Sequence, residues 1–297
     1  MKMRTTKIKV HDITMRYYDS KNEGKEVLVL LHFGGATLVT WNGVIPYLKD
    51  HYRLIALDLR CHGFSDYDVE SCHLDDMAKD VQGLMDHLQI DKAYIVGSSL
   101  GADVAISFAA LFPKRTIAIV LDGGVYDLVG PDSKDQIITD DAIAEAQNKL
   151  KEQILGRETK EFDSKDDYME YCKKGWEGEK IEWSSIIHGY ELDKLIETEN
   201  GKFITIQTKE AIWKFIEPLY GIRFQDYFDK INCPVLWLPD EQECDHEVVK
   251  RNLKNYSANL PYHKIVTLEG SVHAYTPMLK PEEFSNEVMK FIDEIKK

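Results

Sequence analysis

The sequence predicts an α/β protein, an open and mostly parallel sheet covered by helices, with a mainly helical segment inserted before the sheet is complete. Three observations carry this expectation. The runs EVLVLLH (26–32) and RLIALDL (53–59) are almost unbroken in β-branched residues and leucine, as in strands buried on both faces of a parallel sheet. Segments with a single apolar helical face separate such runs. Finally, Gly97-Ser98-Ser99-Leu100-Gly101 directly follows the apolar strand AYIV (93–96) and directly opens a helical stretch.

Taken in order, residues 7–18 (KIKVHDITMRYY) alternate as strands do and precede a turn at 22–24, so they read as an opening antiparallel strand or hairpin. After the run at 26–32, residues 40–49 place Trp41, Val44, Ile45 and Leu48 on one face of an expected helix. Residues 75–88 do the same with Met77, Val81, Leu84, Met85 and Leu88. Strand at 93–96, helix at 100–111 and strand at 116–121 continue the alternation, which implies βαβ crossovers. From about Tyr126 to Lys230 the chain turns highly charged and aromatic, carrying Trp176, Trp183 and Trp213. The sheet pattern then resumes with strand 235–238, helix 248–260, strand 264–268 and helix 281–295. This divides the chain into a core of residues 1–125 and 231–297 and a cap of residues 126–230.

The 297 residues suffice for one large core carrying an inserted subdomain. A formal net charge of −14 opposes phosphate backbones and anionic lipid, which excludes nucleic acid and a membrane surface as expected partners. The N-terminus is basic without an apolar h-region, and no stretch approaches the ~18 apolar residues of a membrane span. Five cysteines, odd in number and without paired spacing, are expected to be reduced thiols in a cytoplasmic protein. His62, Cys72, His73, Asp75 and Asp76 cluster in sequence, but their spacing matches no metal pattern and Asp75 suits a helix cap. No metal and no cofactor are expected.

The chemistry centres on Ser99. A chain that leaves a strand and enters a helix within three residues must turn sharply, and glycines two before and two after the serine let backbone come close. Such a turn lifts the hydroxyl out at the carboxyl edge of the sheet, where open α/β folds bind ligands. A serine hydroxyl is a weak nucleophile until a base takes its proton. His273, in Gly270-Ser271-Val272-His273 between the last expected strand and the last expected helix, is the histidine placed at that edge. Backbone N–H groups must hold the oxyanion that forms. The N–H of Leu100, at a helix N-terminus, is one source; the turn His32-Phe33-Gly34-Gly35 is the other.

Across nearly its whole length the sequence resembles the α/β-hydrolase fold superfamily. The matching pieces, in order, are HFGGAT (32–37), DLRCHGFSD (58–66), GSSLGA (97–102), the stretch from LFPKR to LDGG (111–124), CPVLWLP (233–239) and GSVH with KPEEF (270–284). The resemblance implies a mostly parallel eight-stranded sheet flanked by helices, a cap inserted after the sixth strand, and a serine, acid, histidine triad in that chain order. It places the first oxyanion N–H at Gly34. The acid follows the strand at 235–238 by a few residues, which ranks Glu243 first and Asp245 second in the loop DEQECD (240–245). Asp122, at the end of the sixth strand, is the third choice. Where relatives carry glycine in the Arg-Gly-His-Gly turn this chain has Cys61, read as a tolerated variant.

The expected function is hydrolysis of a small or medium carboxylic ester or lactone through an acyl-enzyme, with a small-molecule substrate as partner and the oligomeric state left open by the sequence. Aminopeptidase-like or amidase chemistry, C–C bond hydrolysis, and a hydrolase-fold ligand-binding protein with little turnover are the alternatives. The aromatic residues of the cap are expected to line the pocket or to form its own core.

Overall fold

The structure, a computed structural model, describes residues 3–123, 125–135 and 137–297. Gly124, the last residue of the LDGG piece, and the first two residues of the N-terminal reading lie outside the described residues.

The opening hairpin is β1 (Thr5–Val10) and β2 (Ile13–Asp19), paired antiparallel. There follow β3 (Val27–Leu31), a 3-10 turn over Leu38–Gly43, the one-turn helix α1 (Ile45–Leu48), β4 (Arg53–Leu57), α2 (Leu74–His87), β5 (Ala93–Ser98), α3 (Leu100–Leu111) and β6 (Thr116–Asp122). The inserted stretch carries α4 (Asp140–Leu155), α5 (Lys165–Gly178), α6 (Ser185–Asp193), a hairpin of β7 (Leu195–Glu197) and β8 (Phe203–Thr205), α7 (Lys209–Ile216) and α8 (Phe224–Phe228). The core closes with β9 (Val235–Leu238), α9 (Glu241–Asp245), α10 (Glu247–Ser257), β10 (His263–Ile265), α11 (Thr276–Leu279) and α12 (Pro281–Ile295).

Eight strands form one sheet in the order β1-β2-β4-β3-β5-β6-β9-β10, antiparallel at β1/β2 and β2/β4 and parallel elsewhere. The two-residue period of a strand sorts its side chains onto opposite faces. Val27, Val29 and Leu31 join the cluster covered by α2, α3 and α10, whereas Leu28 and Leu30 join the one covered by α1 and α12. This two-sided burial is why β3 and β4 read as continuous apolar runs.

Three expectations need correction. Residues 40–49 do not form one helix, because Pro46 has no backbone N–H and sits where a new helix starts; the chain breaks into the 3-10 turn and α1. The strand expected at 264–268 is only β10, a three-residue edge strand. The inserted stretch is mainly helical, as expected, and carries the short β7/β8 hairpin beside its helices. Cys61 and Cys72 are paired to each other, and among the described residues Cys172, Cys233 and Cys244 are free. The turn carrying Cys61, at φ +61°, folds back onto the loop that enters α2 and brings the sulfurs together.

Candidate active site

Ser99 stands between β5 and α3 at φ 49° and ψ −117°, outside the ordinary regions for a side-chain-bearing residue. The turn is held by Ser99 N–H donating to Asp122 O (2.8 Å) and by Ala102 N–H donating to Ser99 O (2.7 Å). Its glycines are required by close approach. A Cβ on Gly97 would lie 2.0 Å from Gly101 O, and one on Gly101 would lie 2.1 Å from Leu31 O.

Ser99 Oγ lies 3.0 Å from His273 Nε2, and His273 Nδ1 lies 2.9 Å from Glu243 Oε1. These residues come from three separate segments at the carboxyl edge of the sheet: the β5–α3 turn, helix α9 and the loop between β10 and α11. Glu243 is buried, at 3% exposure, and its placement is set locally. Asp240 caps α9, its Oδ1 accepting from the N–H of Gln242 and Glu243, while Glu243 Oε2 accepts from Asp240 N–H. That reciprocal capping box uses one carboxylate oxygen of Glu243 and leaves the other toward His273. Burial disfavours the His273 imidazolium, but the hydrogen bond and charge of Glu243, with the charges of Asp122 and Asp240, outweigh it and raise its pKa above the ordinary 6.5.

The other acids stand apart from the ring. Asp245 has an 89% exposed side chain and pairs loosely with Lys250. Asp122 is buried and accepts from Ser98 Oγ (2.6 Å); burial pushes its pKa up to about 6. Ser98 Oγ also bonds to Ala274 O, so this cluster ties the serine turn to the histidine loop. Asp122 therefore braces the backbone at both residues while Glu243 meets the imidazole.

Gly34 and Leu100 line the same cleft as Ser99 and His273. The turn bearing Gly34 is pinned by buried His32, whose Nε2 accepts from Leu59 N–H and whose Nδ1 bonds Phe33 O. Burial lowers the His32 pKa to about 4, so it is neutral and serves the framework. The residues of the sequence-adjacent cluster take framework roles as well: Cys72 pairs with Cys61, and His73 caps α2 by accepting from Asp75 N–H. Among the described residues, the one grouping of metal-ligand type is Asp240, Glu243 and His273, in which Glu243 meets the imidazole and Asp240 caps α9.

The cleft encloses about 480 Å³, within the range of small-molecule sites. Its walls include Phe33, Leu128, Phe215, Leu219, Phe224 and Tyr275. Trp183 and Trp213 are not among its lining residues. Trp213 is buried in α7 beneath Lys151, and the cleft is met instead by Ile212, Phe215 and Ile216 of the same helix. Helical periodicity shows that α7 has an apolar side, but not which part of it meets the core and which the cleft. Asp103 and Arg157 also line the cleft and were not singled out from sequence. For Asp103 the signal was present, since it is the sole charged residue of LGADVAISFAAL (100–111).

Residues 26–157 match a family model described as alpha/beta hydrolase fold. The uncharacterized hydrolase YugF of Bacillus subtilis is 25% identical over 293 residues, covering 95% of this chain and 96% of that protein. A 2-hydroxy-6-oxononadienedioate/2-hydroxy-6-oxononatrienedioate hydrolase of Pseudomonas putida is 34% identical over 127 residues, 40% of this chain and 44% of the enzyme. A match at 37% identity to the dihydrolipoyllysine-residue acetyltransferase component of a Pseudomonas putida acetoin cleaving system spans only 29% of that protein. Among solved structures, E-2-(acetamidomethylene)succinate hydrolase superimposes with a TM-score of 0.78 at 19% identity, over 98% of this chain and 100% of the other. The enol-lactonase of Burkholderia xenovorans does so with a TM-score of 0.66 at 18% identity, over 97% and 100%.

Proposed function

The chain belongs to the α/β-hydrolase fold superfamily, and from that premise we propose that it is a serine hydrolase cleaving a small or medium carboxylic ester or lactone. The observation that carries the reading is the unbroken line from Ser99 Oγ through His273 to Glu243, with contacts of 3.0 and 2.9 Å. Ser99 Oγ attacks the carbonyl carbon as its proton passes to His273 Nε2. The N–H groups of Gly34 and Leu100 hold the oxyanion, and Glu243 fixes the imidazole tautomer and stabilises the imidazolium. Collapse of the tetrahedral species expels the alcohol, which takes the proton from His273 and leaves an acyl group on Ser99. Water then gives a proton to His273 and attacks the acyl carbon, and the acid departs as Ser99 regains its proton. No cofactor enters these steps, and no helix of the described residues is long and apolar enough to cross a membrane.

The experiment is a panel of p-nitrophenyl esters and lactones offered to the protein and to Ser99→Ala. Turnover by the parent and a loss on the order of 10⁶-fold in kcat for the variant are expected. Near-normal hydrolysis by folded Ser99→Ala protein contradicts the reading. A second reading, hydrolysis of a carbon–carbon bond beside a carbonyl, is favoured by the partial similarity to the 2-hydroxy-6-oxononadienedioate hydrolases. Loss of the absorbance of a dienol diketone in the presence of protein, with the esters untouched, would select it.

A further inference from the structure

Helix α3 is apolar along its length except for Asp103 and the Ser107 hydroxyl. Asp103 N–H donates to Ser99 O (3.1 Å), so its side chain lies one turn from the nucleophile. Residues four apart share a helix face. Asp103 accordingly lines the cleft beside Ser99 and Leu100, amid the apolar side chains of Leu128, Ile212, Phe215 and Phe224.

Among the described residues its carboxyl has neither a hydrogen-bond partner nor an ion pair. The Asp103 side chain is half-buried, open to the cleft on one side and flanked by apolar walls on the others, and the packing of α3 between sheet and α2 has no use for its charge. The charged and titratable groups around it are His273 of the histidine loop, Glu243 of α9, Tyr126 and Asp127 of the segment after β6, and Arg157 of the cap. Burial, reinforced by Asp127 and Glu243 and opposed by His273, pushes the carboxyl pKa up to about 8. At neutral pH most of it is therefore the neutral acid, which carries an O–H to donate.

We propose that Asp103 is the polar specificity contact of this cleft, donating a hydrogen bond to an uncharged acceptor on the ligand, such as a ketone or amide carbonyl oxygen. That acceptor lies a few bonds along the acyl chain from the carbonyl that Ser99 attacks, because Asp103 stands one helical turn from Ser99. The inference rests on the serine-hydrolase reading for its scissile carbonyl and narrows the substrate class to acyl chains bearing a second, neutral oxygen. An ammonium at the same position is disfavoured because the acid is mostly neutral and Arg157 shares the cleft.

The test is equilibrium binding to Ser99→Ala protein, by titration calorimetry, of ethyl 5-oxohexanoate against ethyl hexanoate, with ethyl 6-aminohexanoate as the cationic comparison. At about pH 6.5 the oxo ester is expected to bind roughly three- to tenfold more tightly than the alkyl ester. At about pH 9.5 the preference falls to near one, because the ionised carboxylate no longer donates. Asp103→Asn in the same background keeps the preference at both pH values through its amide N–H, and Asp103→Leu loses it at both. Every ligand meets the same His273, and the non-titrating asparagine variant controls for its ionisation. An unchanged preference in Asp103→Leu, the absence of one in the Ser99→Ala protein, or tighter binding of the amino ester overturns the proposal. Binding requires no turnover, so failure of the ester assay and failure of this contact are separate results.

Discussion

At the scale of single residues, Glu243 and His273 make the sharpest demand on the account. Exchanging Glu243 for its amide preserves size but removes the charge that stabilises the imidazolium, so Glu243→Gln should lower kcat by roughly 10³- to 10⁴-fold. Asp245→Asn, at an exposed position, should be close to neutral. A protonated imidazole has no lone pair for the Ser99 proton, so activity falls as pH drops through the His273 pKa. Because that pKa is raised from 6.5, the acid limb of kcat/KM should lie above 6.5. In Glu243→Gln burial prevails and the limb should move to lower pH; a pH profile of both proteins checks the direction. Ser99 and His273 were legible in sequence because each sits in a short local pattern whose neighbours dictate a turn. The ranking of Glu243 over Asp245 rests on loop position alone; in the structure Asp240 and Glu243 form a D-x-x-E capping box that turns only one of the two side chains toward His273. The place of Asp103 is not written in the sequence, because it depends on which face of α3 meets the cleft.

At the scale of elements, α9 couples a helix cap to the candidate site. Asp240→Ala removes the side chain that accepts from Gln242 and Glu243. Loss of such a cap costs about 1 kcal/mol in stability, to be read from urea denaturation. The same variant should lower kcat on the smallest ester, because Glu243 loses the turn that aims it; a stability loss with kcat untouched would separate the cap from the site. Parallel strands were easy to place from sequence, as their burial on both faces writes itself as apolar runs. Residues 40–49 read as one helix because apolar spacing alone carries no record of the backbone N–H that Pro46 lacks. The β7/β8 hairpin left no strong signal either, since each strand is three residues long and only partly buried. The Cys61–Cys72 pairing depends on two loops meeting in space, which no spacing rule could supply.

At the scale of the whole molecule, the inserted helices are fastened to the sheet by a buried ionic cluster. Arg16 of β2 donates to both oxygens of Asp58 and to both oxygens of Asp193 at the end of α6, and Thr37 Oγ1 donates to Asp193 Oδ2 (2.7 Å). Asp58 also accepts from Leu38 N–H and Phe64 N–H, so one carboxylate organises two loops at the sheet edge. Hydrogen bonds to charged groups contribute about 1.5–3 kcal/mol each. Asp193→Ala should therefore loosen the seating of the cap, seen as faster limited proteolysis within 126–230 and as a KM that rises more than kcat falls. Within the cap, Glu191 accepts from Tyr168 Oη and Trp176 Nε1, both at 2.8 Å, and pairs with Lys194. Much of its aromatic content thus serves the cap's own packing, while Phe215 and Phe224 face the cleft.

The central claim, that Ser99 is an activated nucleophile, is tested most directly by mapping where a fluorophosphonate reacts. Intact mass followed by peptide mapping should find one adduct per chain, on Ser99, formed rapidly in the parent protein, slowly in Glu243→Gln and not at all in Ser99→Ala. A parent protein that stays unlabelled under conditions that saturate an active serine hydrolase, or an adduct on any other residue that persists in Ser99→Ala, would contradict it.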